Sequence, residues 1–159
     1  MGFKLLPFLL LTLFAGLAAT ASYQAKIILP SVSQTNAQQA AQAFLAYRNA
    51  VVVYQRNNPT FVGTVPVSGL MSQANQISSS FLASAGNAIT AFGTSGRVIT
   101  AYANLPIGAV AAAYSAADND ASIGIASGAT WKSFNGSAAV SLATAVPDAA
   151  TVSVIQTGN

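Results

Sequence analysis

From Leu5 to Ala21 the chain reads LLPFLLLTLFAGLAATA, seventeen residues without a charge, with Lys4 ahead of the run and Lys26 the next charge beyond it. As a helix rising ~1.5 Å per residue, this run is about 25 Å long, and Phe3, Ser22 and an interfacial Tyr23 extend it toward a ~30 Å hydrocarbon core. Pro7 falls near its first turn, where a missing N–H costs little. The pattern changes after Leu29-Pro30. Ala40, Phe44, Tyr47, Val51 and Tyr54 recur at spacings of 4, 3, 4 and 3, which is one face of a helix. Ser33 or Thr35 is placed to cap it, and it runs to about Gln55 or Arg56. Asn57-Asn58-Pro59 ends it, because the residue before a proline is pushed out of the helical region. Phe44, Tyr47, Val51 and Tyr54 are the expected seam to the core. Arg48, one residue past Tyr47, is expected at the seam's edge as an exposed or partner-facing guanidinium.

Beyond Pro59 the elements are short. Gly63-Thr64-Val65-Pro66 reads as a turn or extended piece, and the Ser/Ala-rich stretch from Ile77 to Phe92 is ambiguous, with a short helix as its reading. Arg97 to Ala103 has the β-branched and aromatic residues of a strand. Pro106-Ile107-Gly108 leads into a short Ala-rich helix. Ala121 to Ala126 and Thr130 to Phe134 form a hairpin pattern around Ser127-Gly128, and Asn135-Gly136 is a turn signal. Val140 to Leu142 and Thr151 to Ile155 are placed to close a small antiparallel sheet, with Val146-Pro147-Asp148 between them. No internal repeat and no long linker interrupts the chain. The fold class expected is α+β.

Composition removes most catalytic chemistry. In 159 residues there is no histidine, no cysteine and no glutamate; the acidic residues are Asp118, Asp120 and Asp148. The commonest general base, thiolate nucleophiles, zinc and iron–sulfur ligand sets and Glu-based acid/base pairs are therefore excluded. Asp118-Asn119-Asp120 has the oxygen ligands of a hard-cation loop. The calcium pattern, however, wants Gly and Glu where Ile123 and Ala129 stand, and a solvated helix end is the reading taken. Ser22 and Lys26 lie four apart, as a Ser–Lys nucleophile pair would, but Lys26 flanks the apolar run and reads as an interfacial cation. Asn135-Gly136-Ser137 fits the glycosylation pattern and is read as a turn. No catalytic residue, cofactor, metal or small-molecule substrate is expected.

Charge adds little by way of partners. Lys and Arg number six against three Asp, for a net +3, and the closest basic residues, Arg48 and Arg56, are eight positions apart. Without a cluster there is nothing to gather phosphates, so nucleic acid is not an expected partner. Charged residues make up only 6% of the chain, leaving Ser, Thr, Asn and Gln as the polar surface, which suits a protein packed against copies, partners or a bilayer. Within the apolar run, Thr12, Gly16 and Thr20 recur every fourth residue and allow close helix approach in lipid, making self-association a candidate. The run has two readings. One is a retained anchor with the N-terminus inside; the other is a signal peptide cut at Ala19-Thr20-Ala21, before Ser22. Either exports the chain beyond Ala21. The lack of cysteine excludes a lipoprotein anchor.

The stretch FLAYRNAVVVYQRNNPTFVGTVP, Phe44 to Pro66, resembles the early ectodomain of the PilM family encoded with thin, type IVb pili of conjugative plasmids. Tyr47, Arg48, Asn49, Ala50, Val51, Asn58, Pro59, Gly63, Thr64 and Val65 carry the likeness. Toward the C-terminus, ASIGIASGATWKSFNGSAAVSLATAVPDAATVSV is similar as well. The resemblance implies a pilin-like layout: a transmembrane helix, then an amphipathic helix packed on a small antiparallel sheet. Residues 1–22 would be the membrane anchor or signal segment, 23–34 a juxtamembrane linker, and 35–159 a small periplasmic α+β domain. It implies a bacterial inner-membrane protein in pilus biogenesis, with pilus assembly proteins as partners and no catalytic residues, and it favours the retained anchor. Two alternatives stand beside it. A minor pilin would be processed at Gly2-Phe3, although Pro7 occupies the place of the pilin glutamate. A secreted or periplasmic binding protein would lose its signal peptide.

Overall fold

In the computed structural model, which describes residues 31–70, 77–136 and 138–158, the long helix α1 (Val32–Asn57) is started by Ser31 rather than by Ser33 or Thr35. The Ser31 hydroxyl accepts from the Gln34 N–H at 3.2 Å, and the Gln34 side-chain oxygen accepts from the Ser31 N–H at 3.0 Å. This reciprocal capping box satisfies two amides that a helix start leaves orphaned. At the other end, the Asn58 side chain donates to the Tyr54 carbonyl at 2.9 Å, and Pro59 comes next. The chain divides into two units, Met1–Thr35 and Asn36–Asn159. Thr12, Gly16, Thr20, the Ser22–Lys26 pair and the apolar run lie outside the described residues. Among the described residues, no helix is long and apolar enough to cross a membrane.

The remaining elements are α2 (Val67–Leu70), α3 (Ser79–Ser84), β1 (Ala85–Phe92), β2 (Gly96–Ala103), α4 (Ala109–Ala116), β3 (Ile123–Ser127), β4 (Thr130–Ser133), β5 (Val140–Ser141) and β6 (Thr151–Thr157). The fold is α+β, with one six-stranded sheet in the order β1-β2-β6-β3-β4-β5, and every pairing is antiparallel. Two expectations are corrected. The ambiguous stretch from Ile77 to Phe92 is half helix and half strand: Ser78 caps α3 through the Phe81 N–H, and the chain enters β1 at once. β6 does not close the sheet at an edge. It lies in the middle, pairing β2 over seven residues and β3 over three.

Helix α1 packs on one face of this sheet. Its buried line is Ala37, Ala41, Phe44, Tyr47, Ala50, Val51 and Gln55; Ala40 and Tyr54, expected in the seam, are half-buried. The small Ala37, Ala41 and Ala50 share this line with the larger Phe44, Tyr47 and Val51. Tyr47, Ala50 and Val51 meet Val65, Leu70, Ile89, Ile99 and Ala101. Ala41 and Phe44 meet Ala103, Ala113, Tyr114 and Ile123, joining α1 to α4 and β3. A smaller cluster of Ala126, Val146 and Val152, flanked by Tyr102, Trp131, Leu142 and Val154, covers part of the opposite face.

Phe44 is 0% exposed where helix, helix and sheet converge. Truncating it removes its transfer energy and leaves a cavity, so Phe44→Ala should cost about 3–5 kcal/mol. Domains hold only ~5–15 kcal/mol in all. Limited proteolysis of the full-length protein should therefore find the variant cut within 36–159 under conditions that leave wild type intact; equal resistance would mean that this face is not core.

Candidate functional site

Asn87 is the polar residue that holds α1, the segment after it and the sheet together. It is 5% exposed. Its Oδ1 accepts from the Val65 N–H at 2.7 Å, while its Nδ2 donates to the Val65 carbonyl at 3.2 Å and to the Tyr47 hydroxyl at 2.8 Å. Two residues earlier, Gly63 exchanges both backbone bonds with Ile89 at 2.8 Å. Residues 63–65 thus lie along the outer edge of β1, and the Asn87 carboxamide stands in for the next backbone partner. Gly63 sits at φ +124°, a conformation open to glycine alone without strain. Burial pushes the Tyr47 hydroxyl's pKa up, opposed in part by the Asn87 hydrogen bond and reinforced by Tyr102. Sequence reasoning missed Asn87, since a lone asparagine in an Ala/Gly stretch gives no signal before its partners are known.

Arg48, expected as an exposed or partner-facing guanidinium, is mostly buried and pairs within the fold. Its side chain is only 14% exposed, and its Nη2 donates to Asp120 Oδ2 at 2.5 Å. The second Asp120 oxygen accepts from the Ser122 N–H at 2.9 Å. Asp118 and Asn119 take left-handed conformations, with φ of 52° and 62°, which short polar side chains tolerate; they turn the chain off α4 so that Asp120 points back at α1. Burial pushes the Asp120 pKa up, but hydrogen bonds from Ser122 and the Arg48 guanidinium outweigh it and hold the carboxyl below its ordinary value. Asp120 is therefore engaged by an arginine at the edge of the fold, where solvent still reaches it. Among the described residues no group of three or more His, Cys, Asp or Glu converges as a metal site would. Asp148 is exposed on the link between β5 and β6. Asn135, the would-be glycosylation acceptor, donates its Nδ2 to the Tyr114 hydroxyl at 2.7 Å.

A groove of about 360 Å³ runs along α1, lined by Asn36, Gln39, Ala40, Ala43, Ser78, Ser80, Phe81, Asn104, Leu105 and Pro106. Asn36, Gln39, Ala40 and Ala43 are spaced to share one helix face. The half-buried Ala40, Ala43, Phe81 and Leu105 make an apolar floor, and the exposed Asn36, Gln39, Ser78, Ser80 and Asn104 make a polar rim. No charged side chain lines it. The site offers shape, dispersion contacts and neutral hydrogen bonds, which are the means of an interaction surface.

A family model described as PilM matches residues 10–154 of the chain. Among solved structures, a crystal structure of a putative protein PilM from Escherichia coli B7A is similar, with a TM-score of 0.56 and 15% sequence identity over 80% of this chain and 97% of that one. At that identity the likeness is one of fold. No curated protein matches.

The contacts of Asn87 and Asp120 each have a consequence for stability. Asn87→Ala strands the Val65 N–H and the Tyr47 hydroxyl away from water, which should cost about 2–4 kcal/mol, whereas Tyr47→Phe, which leaves Asn87 its bonds to Val65, should cost about 1 kcal/mol. Chemical denaturation reads the order, and a larger loss in Tyr47→Phe would contradict it. The second consequence concerns acid. Because the folded pKa of Asp120 lies below its unfolded value of about 3.9, the contribution of the ion pair is present above that value and is lost as pH falls through the folded pKa. Arg48→Ala should be about 1–2 kcal/mol less stable than wild type at neutral pH, the pair being partly open to water. The gap should close in strong acid; a gap independent of pH would assign the loss to packing alone.

Proposed function

The chain belongs to the PilM family, and on that premise we propose that it is a non-enzymatic component of a type IV pilus biogenesis apparatus. In this reading its N-terminal apolar run is retained as a single-pass anchor in the bacterial inner membrane, and its α+β body faces the periplasm and works by contact with pilus assembly proteins. The observation that carries the reading is the family match, which extends from inside the apolar run to the last strand.

Three features support it. The seventeen-residue run from Leu5 to Ala21 holds no charge, and a basic residue ahead of such a run favours retention of that end on the cytoplasmic side. The residue types that most enzymes use for proton or nucleophile chemistry are missing, with neither His, Cys nor Glu in the chain. Of the three aspartates, Asp120 is engaged by Arg48. The body instead offers a partner a set of neutral surfaces, chief among them the groove on α1.

Intact-mass measurement on fractionated cells tests the anchor. The expected result is the uncut chain in the inner-membrane fraction, with a C-terminal tag degraded by added protease only once the outer membrane is opened. A mature protein beginning at Ser22 would make it a soluble exported binding protein. One beginning at Phe3 would make it a processed filament subunit. Either result overturns the anchored reading.

A further inference from the structure

We propose that Asn135 is a site of spontaneous deamidation, with water as co-reactant, and that the Tyr114 hydroxyl is the catch that governs its rate. Of the asparagines in the chain, Asn135 alone is followed by glycine. Glycine gives its own nitrogen the freedom to turn toward the preceding carboxamide, with no Cβ in the way. The Gly136 nitrogen attacks Asn135 Cγ, the Cγ–Nδ2 bond breaks, and ammonia leaves carrying the proton from that nitrogen. Water then opens the five-membered imide at either carbonyl. One opening gives aspartate; the other gives isoaspartate, in which the main chain runs through the former side chain. Asn135 is exposed in the turn that follows β4, so water reaches it. The chemistry is the chain's own and holds whether or not the body works in a pilus.

Two hydrogen bonds restrain the reacting atoms in the folded chain. The departing Nδ2 donates to the Tyr114 hydroxyl at 2.7 Å, which fixes the carboxamide against α4. The attacking nitrogen is held as well, because the Gly136 N–H donates to the Ser133 carbonyl at 2.9 Å. Attack requires both to be released. The Ser133–Gly136 bond lies within the turn and opens whenever the turn frays. The Tyr114 bond instead ties the turn to another element, and its anchor is firm. Tyr114 is buried in the cluster that joins α4 to Phe44 and Ile123, and its ring meets that of Phe134 with centroids 5.1 Å apart. Losing the hydroxyl thus frees the carboxamide to rotate without unfolding the domain. The two products differ in what they leave behind. A tyrosine hydroxyl donates as well as accepts, so aspartate keeps the contact with donor and acceptor exchanged. Isoaspartate lengthens the main chain by a methylene and shifts the turn relative to Tyr114. Either product sets a negative charge on a chain whose net charge is only +3.

Full-length wild type, Tyr114→Phe and Tyr47→Phe would be aged in neutral buffer and digested. Mass spectrometry would then resolve the peptide holding Asn135 into its asparagine, aspartate and isoaspartate forms. Tyr114→Phe keeps the ring in the core, and water replaces the hydroxyl at the exposed Asn135, so this variant folds. Conversion at Asn135 should be roughly threefold to tenfold faster in it than in wild type, as expected for the loss of one hydrogen bond. Tyr47→Phe removes a buried hydroxyl from a different cluster and should leave the wild-type rate unchanged. In denaturant all three chains should convert alike, and faster at Asn135 than at any other asparagine. Three results would each overturn the proposal: equal rates in folded wild type and Tyr114→Phe; equal acceleration by Tyr47→Phe, which would assign the rate to unfolding of the whole domain; and conversion in denaturant no faster at Asn135 than at the other asparagines, which would deny the Asn–Gly pair its reactivity.

Discussion

A long amphipathic helix can lie on a sheet only if the polar backbone of the connection between them finds partners, and here that requirement falls on one carboxamide. Leaving a buried amide unpaired costs more than its hydrogen bond contributes when made. Asn87 meets the N–H and the carbonyl of Val65 and reaches the hydroxyl of Tyr47 in the same plane of contacts. Because the Gly63–Ile89 exchange lies beside it, α1, the segment that leaves it and β1 are coupled at one place. The apolar cluster of Val51, Val65, Leu70, Ile89 and Ile99 is built around that joint. Hydrophobic burial supplies most of the stabilisation there, but it has no direction; the carboxamide sets the register of the loop on the strand.

The same joint closes an edge. β1 ends the sheet on one side, and a bare edge strand offers its unpaired N–H and C=O groups to any other chain. Residues 63–65 occupy part of that row. At the opposite side, β5 is only two residues long and pairs with Thr130 and Trp131 of β4, leaving the stretch that carries the exposed Lys132 next to it; short edge strands and lysines are both means of discouraging strand addition. Both edges of the sheet are thus partly guarded against addition of another strand.

How much of this the sequence disclosed depended on how far apart the cooperating residues lie. α1 could be read because its period repeats through several turns, so that Phe44, Tyr47 and Val51 declare a face without help from elsewhere. The hairpin of β3 and β4 was legible from its turn, where Gly128 takes φ +56°. β1 was not legible, because AGNAITAF has few of the β-branched and aromatic residues that mark strands. It is a strand through tertiary help: Tyr102, opposite Gly86, lays its ring where a side chain at 86 would sit, so close that a Cβ there would come within 2.4 Å of it. Arg48 and Asp120 are 72 residues apart, and neither carries a local sign of the other. The central place of β6 is marked less by its type than by its burial: Thr151, Val152 and Ser153 are buried in succession, as expected of a strand covered on both faces rather than one at a boundary.

A protein so poor in charge has to obtain specificity without electrostatics. Ion pairs steer partners from a distance and reject wrong ones by like-charge repulsion, and the described residues offer one such pair, Arg48–Asp120, spent inside the fold. Amides, hydroxyls and small apolar side chains act only at contact range. Their pairing is nearly indifferent to salt, but it gives no long-range attraction and yields affinity only where shapes match. Surfaces of this kind make weak partners in free solution. Confinement changes the arithmetic, because tethering converts association into a nearly intramolecular event at an effective concentration up to about millimolar. If the apolar run before α1 holds the body to a membrane, as proposed, a shallow neutral groove need contribute only modest affinity to be occupied. The proposed anchor and the charge-poor surface would then act together, one supplying proximity and the other a contact that depends on shape rather than on charge.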